Sequence, residues 1–238
     1  MKHFLDLTQL TSAELHHLLQ LALQLKTELR QGGNKPILQG KSLALLFQKS
    51  SLRTRVSFEL GMVQLGGYAL SLSPAEVKGS TSETPADVAR VLSGYVDAIM
   101  ARVHTHQTVL ELAEYASIPV INGLSDYNHP AQSLTDLFTI LEQTGSLDGR
   151  RVTYIGDGNN VARSLMFGAM MTGVNFTIAS PAGYTLPEED FDKADQLKTG
   201  SAALQIYADP HKAVAEAEII YTDVWISMGQ EDQRAERL

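Results

Sequence analysis

Hydrophobic positions along the chain follow two spacings, which predict two kinds of element. Leucines recur at helical spacing over residues 15–29, after a capping box at residues 11–14 and before Gly32 and Gly33, so we predict a helix there. Compact apolar runs predict buried strands instead. These runs cover residues 42–47, 68–72, 98–101 and 119–122. Strands that alternate with helices favour an α/β fold with parallel sheets.

The same order restarts after residues 145–149, which are the best candidate for a linker. Apolar runs then follow at residues 151–155, 176–179 and 219–222. We therefore expect two doubly wound domains with parallel sheets, one over residues 1–144 and the other over residues 145–238.

Composition narrows the classes of function. The 238 residues include 19 Lys and Arg against 27 Asp and Glu, a net charge of −8, which argues against sequence-independent binding to nucleic acid. The apolar runs are too short to span a membrane and the first residues lack a signal-peptide layout, so we expect no membrane partner and a cytoplasmic location. The absence of cysteine excludes disulfides, thiolate metal sites and a cysteine nucleophile within this sequence.

The segment after the first predicted strand has the composition of an anion site. Lys49, Arg53 and Arg55 concentrate positive charge in an acidic chain, at the start of a predicted helix. Free N–H groups, the helix dipole and the hydroxyls of Ser51 and Thr54 would complete such a site. The alternative is a solvated helix start with surface arginines.

Two further segments place polar side chains after predicted strands. Arg102 lies just past the carboxyl end of one strand, where open α/β sheets bind ligands, although many such arginines only form surface ion pairs. His129 follows the next strand, and Gln132 lies within one helical turn of it. A neutral imidazole donates to a carbonyl oxygen and an amide oxygen accepts from an NH₂ group, so the pair suits a carbamoyl or amide substrate. A structural histidine is the alternative.

Two segments of the second half follow predicted strands. The turn at residues 156–161 contains glycines, but a dinucleotide fingerprint needs a third glycine where Val161 stands, and Asp157 would repel a pyrophosphate. Asn160 is better interpreted as a turn residue or an uncharged ligand contact. Asp223 follows the last predicted strand and could hold an ammonium group, or could simply cap a helix.

These segments, taken in order, resemble the motifs of the aspartate/ornithine carbamoyltransferase family. Residues 51–55 resemble its S-T-R-T-R motif, with Leu52 where threonine is usual, and residues 129–132 match H-P-x-Q. Residues 157–160 match D-G-N-N. Residues 223–229 match D-x-W-x-S-M-G, the segment that distinguishes the ornithine-specific members from their relatives. The likeness covers essentially the whole chain.

The resemblance implies transfer of a carbamoyl group from carbamoyl phosphate to the δ-amine of L-ornithine. The products would be L-citrulline, in arginine biosynthesis, and phosphate, with no metal or organic cofactor. The implied phosphate ligands are Ser51, Leu52 through its backbone, Arg53 and Thr54. Arg102 and His129 would polarise the carbamoyl oxygen, and Gln132 would take the carbamoyl NH₂. The implied ornithine ligands are Asn160, Asp223, Ser227 and Met228.

The family also implies an assembly and further sequence. Its active site is shared between subunits of a homotrimer, through a loop where glutamine is usual at the position of Lys78. Lys78 would either serve a neighbouring subunit's phosphate or be an ordinary loop lysine. The family continues beyond the position of Leu238 with a strand carrying an H-C-L-P motif and a later arginine. We therefore expect the second domain to be incomplete, carbamoyl-phosphate binding to be weak, and turnover to be slow or absent.

Three alternatives stay open. One is a carbamoyltransferase for another amine, such as putrescine. Another is a protein that binds carbamoyl phosphate without turnover. A dinucleotide-binding oxidoreductase ranks last, because of Val161 and Asp157.

Overall fold

Two parallel sheets form the framework of the computed structural model, which describes residues 2–73 and 83–224. The first sheet holds β1 (Ser42–Phe47), β2 (Tyr68–Leu72), β3 (Ala98–Arg102) and β4 (Val120–Leu124). These strands lie in the order β2-β1-β3-β4. The second sheet holds β5 (Arg151–Ile155), β6 (Asn175–Ala179), β7 (Leu204–Tyr207) and β8 (Ile219–Thr222). Their order is β7-β6-β5-β8.

Helices lie on both faces of each sheet. They are α1 (Ser12–Arg30), α2 (Leu52–Gln64), α3 (Pro85–Ser93), α4 (His106–Tyr115), α5 (Pro130–Thr144), α6 (Asn160–Met171), α7 (Glu188–Gln196) and the short α8 (Pro210–Ala213), after a 3₁₀ turn at Leu7–Gln9. In the first sheet, α2 packs on one face and α3 with α4 on the other. Within residues 2–73 and 83–224, no helix combines the length and apolar character needed to cross a bilayer.

The expected α/β fold with two parallel sheets is confirmed. The Thr11 capping box is present, since the Thr11 side chain accepts from the backbone N–H of Glu14. Sequence patterning missed three elements of the second half: α7, β7 and α8. The first of these begins with three acidic residues and the second has only four residues, so neither shows a clear apolar period.

The division into domains at residue 144 stays a prediction. α5 ends at Thr144, and Gly145 then adopts a left-handed conformation that stops the helix. However, Leu19 of α1 and Leu137 of α5 belong to the same buried cluster as the second sheet. The core therefore continues across the proposed boundary, because α1 and α5 cover α6.

α6 is the most buried helix among the described residues, and a glycine allows its close contact with α5. A Cβ atom on Gly168 would lie 2.7 Å from Leu137 Cδ1 and 3.0 Å from Leu7 Cδ1. Gly61 in α2 is a natural contrast, because a Cβ atom there meets nothing within 4 Å.

We predict that Gly168→Val lowers the free energy of unfolding by about 1–3 kcal/mol, because it overpacks the α5–α6 contact. The matched control Gly61→Ala should raise it by about 0.5–1 kcal/mol, since alanine restricts the unfolded chain without a clash. Urea denaturation of both variants checks the pair. Equal effects of the two substitutions would contradict this description of the core.

Candidate active site

The carboxyl ends of strands from both sheets meet at a common cleft. In the first sheet the order reverses between β1 and β3, and in the second between β5 and β8. Ligands of open α/β sheets bind beyond the carboxyl ends of strands at such reversals. A cleft of about 560 Å³ lies at both reversals. It is lined by Lys49, Ser51, Arg53, Thr54, Arg102, Leu124, His129, Gln132, Asn160, Val161, Tyr221, Asp223 and Val224.

The first turn of α2 is fixed to the end of β3. Ser51 caps α2, and its hydroxyl accepts from the backbone N–H of Thr54 at 3.3 Å and donates to the Thr54 hydroxyl at 2.9 Å. Arg102 Nη1 donates to the same hydroxyl at 3.3 Å. Hydroxyls, backbone N–H groups and a guanidinium therefore converge on one helix N-terminus, which favours an anion there.

Positive charge in the cleft has no carboxylate partner in the described part of the chain. Lys49, Arg53 and Arg102 form no salt bridge within residues 2–73 and 83–224. Arg102 is only 6 % exposed, and its buried Nε has no hydrogen-bond partner there. Burial, with a further contribution from the Arg53 charge, holds the pKa of Arg102 below its usual value. A buried cation without a carboxylate partner is costly, so Arg102, beside Lys49 and Arg53, favours an anionic ligand in the cleft.

His129 faces this charge as a neutral imidazole. Burial, with a smaller contribution from the Arg102 guanidinium, lowers its pKa to about 4. Its backbone N–H donates to Ser164 Oγ of α6 at 2.8 Å, which fixes the residue at the start of α5. Its buried Nδ1 has no hydrogen-bond partner among the described residues. A neutral ring in this position can donate one hydrogen bond to a ligand oxygen.

Gln132 is oriented by the helix that carries it. Its Nε2 donates to Asp136 Oδ1 at 2.9 Å, one turn further along α5. The amide oxygen of Gln132 is therefore the end that remains to accept from a ligand in the cleft.

The second sheet contributes a carboxylate and two asparagines. Asn159 caps α6, accepting from the backbone N–H groups of Val161 and Ala162 at 2.9 and 3.0 Å. Its Nδ2 donates to Asp223 Oδ2 at 3.2 Å. Asn160 lines the cleft, but its Nδ2 donates to the Ser125 carbonyl oxygen at 2.6 Å, so its Oδ1 is the end left for a ligand.

The glycine turn after β5 serves chain packing. A Cβ atom on Gly158 would lie 2.4 Å from the backbone nitrogen of Leu186 and 2.5 Å from the carbonyl carbon of Thr185. This close approach of a second segment leaves no room for a side chain at position 158.

The structure does not place the remaining predicted site residues in the cleft. The Leu52 side chain is 72 % exposed and lines a neighbouring groove instead of the cleft. Lys78, Ser227 and Met228 lie outside the described residues. Sequence reasoning missed Tyr221 and Asp136. The first stands at the carboxyl end of a strand and the second stands four residues after Gln132, and both spacings could have indicated them.

Metal ligands are not grouped in this site. Among residues 2–73 and 83–224, no three His, Asp or Glu side chains lie together as a metal site would need. The donors described above instead suit a small anion with a carbonyl group.

Comparison with models of protein families shows the family to which this chain belongs. A model described as "Aspartate/ornithine carbamoyltransferase, carbamoyl-P binding domain" matches residues 2–142. A second, described as "Aspartate/ornithine carbamoyltransferase, Asp/Orn binding domain", matches residues 148–238. The chain belongs to the aspartate/ornithine carbamoyltransferase family. The resemblance drawn from the motifs is thereby confirmed.

Several members of the family are close to this chain over its whole length. Ornithine carbamoyltransferase of Anoxybacillus flavithermus is 50 % identical over 238 residues, which are 100 % of this chain and 76 % of the relative. The structure of ornithine carbamoyltransferase from Pyrococcus furiosus has 48 % identity and a TM-score of 0.94, over 99 % of this chain and 76 % of that one. An N-acetyl-L-ornithine transcarbamylase structure has 32 % identity and a TM-score of 0.86, over 100 % and 80 %.

We predict that His129 makes the stability of this carbamoyltransferase-family chain fall in mild acid. The unfolded histidine takes up a proton near its ordinary pKa of 6.5, whereas the folded one does so only near 4. His129 therefore costs almost no stability well above pH 6.5. As the pH falls towards 4 it lowers the free energy of unfolding, by about 2 kcal/mol between pH 7 and pH 5.

Urea unfolding at both pH values checks this, with His129→Gln as the comparison. The variant should lose less stability between pH 7 and pH 5 than the unsubstituted chain. Asp136, whose buried carboxyl has a raised pKa of about 6, acts in the opposite direction but is common to both proteins. Parallel pH dependences would show that His129 protonates normally.

Proposed function

We propose that this chain transfers the carbamoyl group of carbamoyl phosphate to the δ-amine of L-ornithine, giving L-citrulline and phosphate. The observation that carries the proposal is the set of cations without carboxylate partners among the described residues, at the start of α2 and the end of β3, next to a neutral His129 and to Gln132, whose Nε2 is held by Asp136. Phosphate, carbonyl and NH₂ each find the complementary donor or acceptor there. The match to both domains of the family supports the same reaction.

Phosphate binding uses the first turn of α2. The Thr54 hydroxyl and the backbone at Leu52 donate hydrogen bonds, and Arg53 supplies a charged fork. Ser51 donates as well once its hydroxyl turns from Thr54 to the phosphate. These contacts neutralise the charge of the leaving group, so phosphate departs more readily.

Carbamoyl activation uses the ends of β3 and α5. Arg102 and His129 donate to the carbamoyl oxygen, where negative charge develops when the amine attacks. Gln132 accepts from the carbamoyl NH₂ and fixes the plane of the group. Holding both substrates in one cleft supplies much of the remaining acceleration.

The amino-acid end of ornithine binds to the second sheet. Asp223, held by Asn159, faces the α-ammonium group, and the Oδ1 of Asn160 is a further acceptor. Ser227 and Met228 are proposed to complete this subsite. The neutral δ-amine then points at the carbamoyl carbon.

Another amine is the competing substrate class, since one relative of this fold is an N-acetyl-L-ornithine transcarbamylase. Asp223 favours a substrate with a free α-ammonium group, which an acetylated amine lacks. Product formation with ornithine, N-acetylornithine and putrescine as separate acceptors tests the assignment. Faster carbamoylation of either competitor would contradict it.

Self-assembly is proposed from an apolar surface on the first sheet. α2 has no buried residue, and its Leu60 and Val63 are 51 % and 63 % exposed. The neighbouring edge strand β2 exposes Tyr68 to 63 %. Exposed apolar side chains of this kind are typical of subunit contacts. The resemblance to the family implies a homotrimer in which Lys78 of one copy would serve the phosphate site of the next.

We predict that Arg53→Ala weakens carbamoyl-phosphate binding by about 10- to 100-fold, because a charge-assisted contact contributes about 1.5–3 kcal/mol. The fold should persist, since Arg53 lies at the cleft surface and its loss leaves no core cavity. Arg55→Ala is the matched control, because Arg55 lines the neighbouring groove on the same helix. Calorimetric titration that gives both variants the same affinity would contradict the assigned phosphate site.

We predict that the chain is a trimer by light scattering and that Leu60→Glu shifts it towards monomers, because it places charge in the apolar contact. Ile206→Glu is the control, an equally exposed apolar residue on the second sheet, and should leave the mass unchanged. A monomeric unsubstituted chain would contradict the proposed assembly.

A further inference from the structure

Asp136 is a buried carboxylate that touches a proposed substrate ligand. It lies on α5 one turn after Gln132, whose Nε2 donates to its Oδ1 at 2.9 Å. Its second oxygen, Oδ2, is buried and makes no hydrogen bond of normal geometry within the described residues. No lysine or arginine forms a salt bridge with it in that part of the chain. A carboxylate held in this way is unfavourable for stability, so its contact with Gln132 calls for a functional reason.

The orientation of an amide supplies that reason. The two ends of a glutamine amide have nearly the same shape, but one end accepts hydrogen bonds and the other donates them. An acceptor placed beside Nε2 turns the oxygen of Gln132 into the cleft. Without this acceptor the Gln132 amide could turn its NH₂ group towards the NH₂ group of the substrate. Two hydrogen-bond donors cannot form a hydrogen bond with each other.

We propose that Asp136 is a positioning residue, which fixes the Gln132 amide so that the site selects a carbamoyl group over an acyl group of the same size. This inference rests on the proposed function. In this role Asp136 itself touches no substrate and acts through Gln132.

The surroundings of Asp136 keep it an acceptor at neutral pH. Burial raises the pKa of its carboxyl to about 6, while Gln132 and the nearby Tyr221 hydroxyl of β8 favour the ionised form. The charge of Asp223, after β8, opposes ionisation. Above pH 7 the group is therefore mainly a carboxylate, which accepts hydrogen bonds and donates none.

Acetyl phosphate is the probe that isolates this role. It carries the same phosphate and carbonyl groups as carbamoyl phosphate but has a methyl group in place of the NH₂ group that Gln132 would recognise. Loss of a properly oriented Gln132 should therefore weaken carbamoyl phosphate alone. General damage to the cleft should weaken both ligands.

The experiment measures the affinity of the full chain for both ligands at pH 7.5 by calorimetry. Asp136→Ala should bind carbamoyl phosphate about 10-fold more weakly and bind acetyl phosphate with an affinity within about 2-fold of the original. Asp136→Asn keeps an acceptor but permits both amide orientations, so it should restore part of the loss. Glu142→Ala is the matched control, because Glu142 is a carboxylate at the far end of α5 that pairs with Lys26 at 2.7 Å.

A double-substitution cycle completes the test. In a Gln132→Ala background, Asp136→Ala should cause no further loss of carbamoyl-phosphate affinity, because its effect passes through Gln132. An equal loss for both ligands, or a full additional loss in the Gln132→Ala background, would overturn the inference. If the unsubstituted chain binds neither ligand, the proposed function itself fails, and that result is distinct from a chain that binds both ligands regardless of Asp136.

Discussion

Hydrogen bonds between the first turn of α6 and residues 125–129 connect the second sheet to the first. The shape of the cleft depends on these hydrogen bonds, because residues of both sheets line it. Asn160, Arg163 and Ser164 bond the backbone of this segment at 2.6, 2.5 and 2.8 Å. Arg163 also forms a buried ion pair with Asp190 at 2.7 Å. His129 is therefore positioned by both halves of the chain, and small movements between the sheets would displace it from Arg102.

Sequence reasoning located most of the candidate site because parallel strands place their carboxyl ends at a common edge. Arg102 is the last residue of β3 and His129 follows β4, so their convergence followed from topology alone. The sequence did not reveal contacts that cross between elements. The use of the Asn160 amide by Ser125 depends on how the two sheets face each other, and no local pattern encodes that.

The same limit applies to the electrostatics. The chain is acidic overall, with a net charge of −8, yet the cleft concentrates cations that have no acidic partners in the described ranges. A sequence shows which charges are close along the chain, but not which are buried together. The low pKa of His129 arises from burial and from Arg102, and both depend on the folded arrangement. Two elements of the second half were not predicted for a local reason, because α7 is mostly polar and β7 has only four residues.

Because the cations of the cleft have no carboxylate partners in the part of the chain that the structure describes, ordinary buffer anions should change the measured stability of this protein. Any tetrahedral oxyanion that settles at the start of α2 binds the folded chain and not the unfolded one, so it raises the midpoint of thermal unfolding in proportion to the logarithm of its concentration. Inorganic phosphate or sulfate would therefore stabilise the protein while occupying the proposed place of the substrate phosphate. Stability and affinity measured in phosphate buffer would err in opposite directions, the first too high and the second too weak.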